Sequence, residues 1–263
     1  MALARDKYGE PFSRDWMFAV AGGLLPGHSR VAGLGNNPDI DTSTFPEDVW
    51  SNGGLYPWLA AAVPMEMLSS SASDAAAGVG ARTVLINGLD ANYNAISETI
   101  TLNGITPVAT TRSYLRINNL LVMSAGTSKT NVGTITLRTV ATVETHATIP
   151  VGAGTVGGYG ISRRSIFTVP AGNTLFIDSF FGCVNRSTTQ DAATIATFFQ
   201  SPNGFYRMTL EFSITNAPYR HDGFPPIVVA EKNDFCLRCN YTSTNNMDLT
   251  AAWLGVLINN SYL

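Results

Sequence analysis

The stretch Arg82–Gly104, RTVLINGLDANYNAISETITLNG, decides the fold class. In its last part, ISETITLNG, Ile96, Ile100 and Leu102 point to one side and Ser97, Thr99 and Thr101 to the other, the two-residue period of a β-strand. RTVLIN before it is β-branched and apolar, and the connecting GLDANYNA is too long for a two-residue hairpin turn. The stretch therefore reads as two strands and a loop. Glu98 interrupts the apolar side of the second strand. A carboxylate pointing inward needs a partner, and Arg82 and Arg112 are the candidates.

The same strand signals recur at short intervals down the chain: SYLRINNLLVMS, GTITLRTV, SIFTVPAG, NTLFIDSFFGCVN, ATIATFFQS, FYRMTLEFSI, PIVVAE, DFCLRCNYTS and LTAAWLGVLIN. Gly, Pro or Asn pairs separate most of them. No convincing helical run lies between them, which excludes a parallel α/β architecture. The expected class is all-β, a jelly-roll-like antiparallel β-sandwich over 55–263, since closing or stacking sheets is how so many strand edges are managed. Pro57 and Pro64 break the alanine-rich Leu55–Leu68 segment, where we expect a short helical turn and then a strand at MEMLSS.

Residues 1–54 differ from the rest. AGGLLPGHSRVAGLGNNPDIDTSTFPEDVWSNGG is dense in Gly, Pro, Asn and Asp and has neither strand nor helix period, so it reads as an extended N-terminal arm. Its apolar residues Trp16, Phe18, Leu24, Leu25 and Trp50 argue against simple disorder. They are the candidate partner-binding residues, and the arm either lies on a neighbouring subunit or wraps its own domain.

Composition narrows the function. Charged residues are 13% of the 263 residues, about half the usual share, with Thr, Ser, Asn and Gly filling the polar positions. Such a weakly charged surface suits a secreted β protein or a subunit whose surface its neighbours cover, and we favour the second. A net charge of −3, with no basic cluster beyond Arg163–Arg164, leaves no electrostatic footprint for nucleic acid. The N-terminus carries charges where a signal peptide has its apolar core, and no apolar run is long enough to span a membrane as a helix.

No constellation carries chemistry. Asp90, Asn92 and Asn94 mimic half a calcium loop, but Ala95 and Thr101 stand where the Gly and the bidentate Glu belong. Turn formation accounts for them, and no metal is expected. Cys236-Leu237-Arg238-Cys239 lies in a strand, where positions i and i+3 face opposite sides, so the thiols read as buried small hydrophobes beside a distant Cys183. His28, His146 and His221 are scattered, and no G-x-S-x-G elbow supplies a serine. The glycine run Gly152–Gly160 precedes a strand, not the helix a phosphate cradle requires. Arg163 and Arg164 beside it pair with a neighbour's acids or are simply solvated. Neither a cofactor nor a catalytic residue is expected.

Two blocks carry a resemblance. Asp48–Gly104, followed by TPVATTRSYLRINNL, resembles a segment of structural proteins of tailed bacteriophages, notably marine and cyanobacterial podovirus-like ones. SIFTVPAGNTLFIDSFF with PIVVAEKNDFCLRCNYTSTNNMDLTAAWLGVLI is similar to β-sandwich modules of such virions. The resemblance implies a non-enzymatic virion component, assembled in the host cytoplasm. It would be a homo-oligomer, a trimer favoured, that contacts the major capsid protein as decoration or cement, or else neck or tail proteins as an appendage.

Overall fold

The computed structural model describes residues 16–152, 157–185, 194–201, 205–214 and 218–263. After a short helix α1 (Trp16–Ala21) come β1 (His28–Ile40) and β2 (Glu47–Asp48). Then follow β3 (Val63–Ser69), β4 (Ala81–Leu89), β5 (Ala95–Thr101), β6 (Val108–Tyr114), β7 (Arg116–Ala125), β8 (Ile135–Thr139) and β9 (Thr145–Ile149). The rest of the chain forms β10 (Ile166–Thr168), β11 (Asn173–Asn185), β12 (Thr194–Ser201), β13 (Arg207–Ile214), β14 (Tyr219–Val229), β15 (Asp234–Thr242) and β16 (Met247–Asn259).

The first two and last seven strands make a jelly roll. Its sheets run β1-β16-β11-β14 and β10-β15-β12-β13, with β2 added beside β15. Four nested antiparallel pairs, β1 with β16, β10 with β15, β11 with β14 and β12 with β13, are what results when one long hairpin is wrapped around a core. That core is aromatic, with Phe180, Phe212, Phe235 and Trp253 buried between the sheets. The all-β jelly-roll expectation therefore holds.

Strands β3 to β9 form a second, smaller sandwich inserted between β2 and β10. Its sheets run β6-β3-β8-β9 and β5-β4-β7. The core is aliphatic, built from Met65, Met67, Ile86, Ile100, Ile117, Ile135, Leu137 and Ile149, with Tyr114 its aromatic member. Two corrections follow. Residues 55–263 do not form one sandwich, because 63–149 bury a core of their own. The arm does not extend to residue 54 either: the chain enters the sheet at His28, and β1 pairs with β16 from His28↔Ile258 to Ile40↔Met247. The glycines that hide β1 in the sequence are there for close packing. A Cβ on Gly33 would lie 2.2 Å from the Trp253 indole nitrogen, and one on Gly35 would lie 2.3 Å from the Val49 carbonyl.

Within the insert, Arg82–Gly104 folds as read. β4 and β5 pair from Thr83↔Thr101 to Leu89↔Ala95. Ile100 and Leu102 are buried, and Ser97, Thr99 and Thr101 are exposed. Of the two arginines proposed, Arg112 pairs with Glu98, through its backbone amide, and Arg82 does not. The Glu98 carboxylate accepts from the Thr111 amide (2.8 Å), the Thr111 hydroxyl (3.0 Å) and the Arg112 amide (3.2 Å). Those amides belong to β6, the edge strand of the opposite sheet, so Glu98 ties together the two sheets at their edge strands β5 and β6. Arg82 instead donates to the Gly78 carbonyl. The expected helical turn after Leu55 does not form. Asp74 is an anchor the sequence did not reveal: its buried carboxylate accepts from Ser69 Oγ and from the amides of Ala81, Val132 and Gly133, locking the small-residue loop onto the insert.

Candidate interaction surface

Strand β16 has an apolar residue on nearly every position, so both faces of its sheet are apolar. Leu249, Ala251 and Trp253 point into the jelly roll, whereas Ala252, Leu254, Val256 and Ile258 point outward. A sheet with two apolar faces needs cover on the outer one. The N-terminal segment supplies it at one end. Ala19, Val20 and Leu25 are buried against Val256 and Ile258, with Leu24 and Phe176 packed alongside. Helix α1 stops in a Schellman turn: Gly23 takes a φ of +65°, Leu24 N–H donates to Ala19 O (2.8 Å) and Gly23 N–H to Val20 O (3.0 Å). That turn brings the leucines down onto the sheet.

The other side of α1 faces outward. Trp16 is 46% exposed and Phe18 77%. Trp16 stands edge-on to His28, and His28 to Tyr262, each pair with centroids 6.4 Å apart. Beyond the helix the outer face continues through Leu34, Phe181, Val228 and Leu254, all exposed, and no described element packs over them. Phe181, Ala252, Leu254 and Arg220 line a groove of about 330 Å³ there. The ion pairs Arg30–Asp178 and Arg220–Asp222, each 2.9 Å apart, lie on this face.

Of the five residues expected to bind a partner, Trp16 and Phe18 are therefore presented outward, and Leu24 and Leu25 hold the helix to its own sheet. Trp50 does not belong to this surface. It is buried, its indole donates to the Gly54 carbonyl (3.1 Å) and its ring meets Tyr56 at 5.1 Å. Leu34, Phe181, Val228, Leu254 and Tyr262 were missed. The unbroken apolar run of LTAAWLGVLIN was the signal, since a strand buried on one face alone alternates.

Trp50 instead marks the seam between the two sandwiches. There the connector after β2 places Tyr56 and Trp58 between guanidinium groups: Arg164 lies 4.6 Å over Tyr56 and Arg116 5.1 Å over Trp58. Arg116 of the insert makes a bidentate pair with Asp234 of the jelly roll, both bonds 2.8 Å. Asn118 and Thr168 exchange two further bonds of 3.0 Å across the seam.

The remaining sequence candidates hold structural places. Asp90 accepts from the Asn92 and Asn94 amides and the Asn94 side chain, which hold its carboxyl below the ordinary range and use it as a turn anchor. Cys236 and Cys239 face opposite sides of β15, in separate clusters. Burial pushes the Cys239 thiol up to about 12 and raises that of Cys236, which donates to Asp48, well above its usual value. Among the described residues no three His, Cys, Asp or Glu side chains gather as metal ligands. No helix among them is long and apolar enough to cross a membrane.

No protein family and no curated protein matches the sequence. Among solved structures, the chain is similar to that of the infectious bursal disease virus Gx strain (11% identity, 90% of this chain and 73% of that chain, TM-score 0.25). It is also similar to the VP2 subviral particle of infectious bursal disease virus (10% identity, 90% and 73% covered, TM-score 0.22). At scores this low the likeness adds nothing to the topology described above.

Proposed function

We propose that this chain is a non-enzymatic structural protein of a tailed-bacteriophage virion, a capsid decoration or cement protein that stabilises the head by bridging capsid subunits. One observation carries the reading: an aromatic helix and an exposed apolar sheet face lie side by side on the outside of a jelly roll. Large exposed apolar patches on otherwise polar proteins mark places where another protein docks. Exposed Trp and Phe side chains are the residue types that dominate such contacts once desolvated. The low charge and the bacteriophage-like segments fit a protein that works inside an assembly, as a homo-oligomer against the major capsid protein.

Attachment to particles tests this. Trp16→Ser combined with Phe18→Ser should lower occupancy on stripped particles at least about tenfold, a loss of ~1.4 kcal/mol or more. Because both side chains are exposed, thermal stability should stay within a few degrees of wild type. Undiminished occupancy would remove this face from the reading. The alternative is a neck or tail appendage with an adhesive role, favoured by the Ser97, Thr99 and Thr101 hydroxyls exposed on the insert. Quantified virion protein distinguishes the two: cement approaches the copy number of the major capsid protein, an appendage a small fraction of it.

A further inference from the structure

Arg164 is a charge that the fold leaves unbalanced. It is 4% exposed, so it is not solvated, and no carboxylate among the described residues lies at ion-pair distance from it. Its Nη1 donates to the His146 carbonyl (2.9 Å), its guanidinium lies over the Tyr56 ring, and its Nε is buried without an acceptor. Arg116, the other buried arginine among the described residues, has Asp234 as a bidentate partner. A guanidinium taken out of water ordinarily has such an anion beside it.

Arg164 lines a pocket of about 200 Å³. The pocket lies beside the edge strands β1 and β10 of the jelly roll, with Asn118 and Asn119 of β7 completing its wall from the insert. No acid lines it, and Arg30, which does, is paired with Asp178. The unmet polar groups of the lining side chains are donors. Trp253 Nε1 is buried without an acceptor and stands against Gly33, where a Cβ would lie 2.2 Å from it. Asn119 Oδ1 accepts from the Asn87 side chain (2.8 Å) and Ser162 Oγ from the Leu120 amide (2.9 Å), which leaves the Asn119 NH₂ and the Ser162 hydroxyl proton to donate. Ile166 and Phe167 of β10 add an apolar wall.

We infer that this pocket binds a small organic carboxylate, whose head supplies the anion that Arg164 lacks and whose apolar body fills the space against Ile166, Phe167 and Trp253. An ionised carboxylate only accepts, which is what a set of unmet donors selects, and a guanidinium is its best-matched partner. Volume sets the size of the body. A cavity of about 150 Å³ holds benzene, so a pocket of about 200 Å³ has room for one ring carrying one carboxylate. Apolar walls with a few placed polar groups are the usual make-up of a small-molecule site. Gly33 then has a second role, since any side chain there would cover the indole N–H.

Benzoate is the probe, titrated into the full chain at an ionic strength held constant with sodium chloride and followed on the Trp253 indole N–H signal in proton–nitrogen correlation spectra. The signal should shift and saturate with a Kd of about 1 mM or tighter. Benzyl alcohol keeps the ring without the charge, and inorganic phosphate the charge without the ring; each should bind at least about tenfold more weakly than benzoate. Arg164→Met should weaken benzoate at least about tenfold. Asn119→Asp tests the same point at a position outside the buried guanidinium: it keeps the acceptor for Asn87 and supplies a carboxylate from the wall, so benzoate should weaken by a similar factor. The absence of a saturable shift would overturn the assignment. So would benzyl alcohol or phosphate binding as tightly as benzoate, or an unaltered benzoate affinity in either folded variant.

Discussion

The two sandwiches are built on opposite plans. The insert joins strands that are close in sequence: β4 with β5 and β8 with β9 are hairpins around an aliphatic core. The jelly roll is closed by its ends, β1 against β16, around an aromatic core. Local pairing loses little chain entropy before its contacts form, whereas end-to-end closure must order most of the chain first. The insert can therefore be read from short stretches and the jelly roll cannot. The seam between them is polar and aromatic, which makes the coupling of the two bodies a separate question from the stability of either.

The largest effect is expected at that coupling. Arg116→Met leaves Asp234 buried with the Thr168 hydroxyl but without its guanidinium, and stranding one half of a buried pair costs about 3–5 kcal/mol. Asp234 opens β15 in the jelly roll, so the jelly roll should lose stability first, seen as a lower urea midpoint for its tryptophan signal. Adding Asp234→Leu removes the stranded charge and should restore most of the loss. If the single and double variants lose equally, the pair acts through packing and the two bodies are coupled by shape.

The next effect isolates the jelly roll and bears on what the sequence revealed. Strands β4, β5, β7, β11, β15 and β16 were legible because alternation or apolar runs announce them. β1 was not, because Gly33 and Gly35 occupy positions where the sheet's inner face meets Trp253 and the Val49 backbone. Glycine selected for closeness looks, in a single sequence, the same as glycine selected for a turn. The aromatic side of α1 was legible as apolar residues in a polar setting, but its sheet partners lie at the far end of the chain, and Trp50 carried the same signal while being buried. Gly33→Ala should cost about 1–3 kcal/mol by forcing the Trp253 indole aside. Differential hydrogen exchange should place that loss in β1 and β16, with the insert unaffected. A loss spread evenly over both sandwiches would mean they unfold as one unit.

The smallest effect isolates the insert. Glu98 uses one carboxylate oxygen for the Thr111 amide and hydroxyl and the other for the Arg112 amide, so it joins β5 to β6 by accepting only. Glu98→Gln preserves shape but turns one acceptor into a donor facing a donor, whichever way the amide lies. The cost is about 1 kcal/mol, at the lower end for an unmet backbone N–H because this edge is partly solvated. Loss of protection should be confined to the Thr111 and Arg112 amides, with the β1 and β16 amides unchanged. Protection lost in the jelly roll as well would mean that strain passes through the Arg116 seam, and the local plan of the insert would then not make it independent.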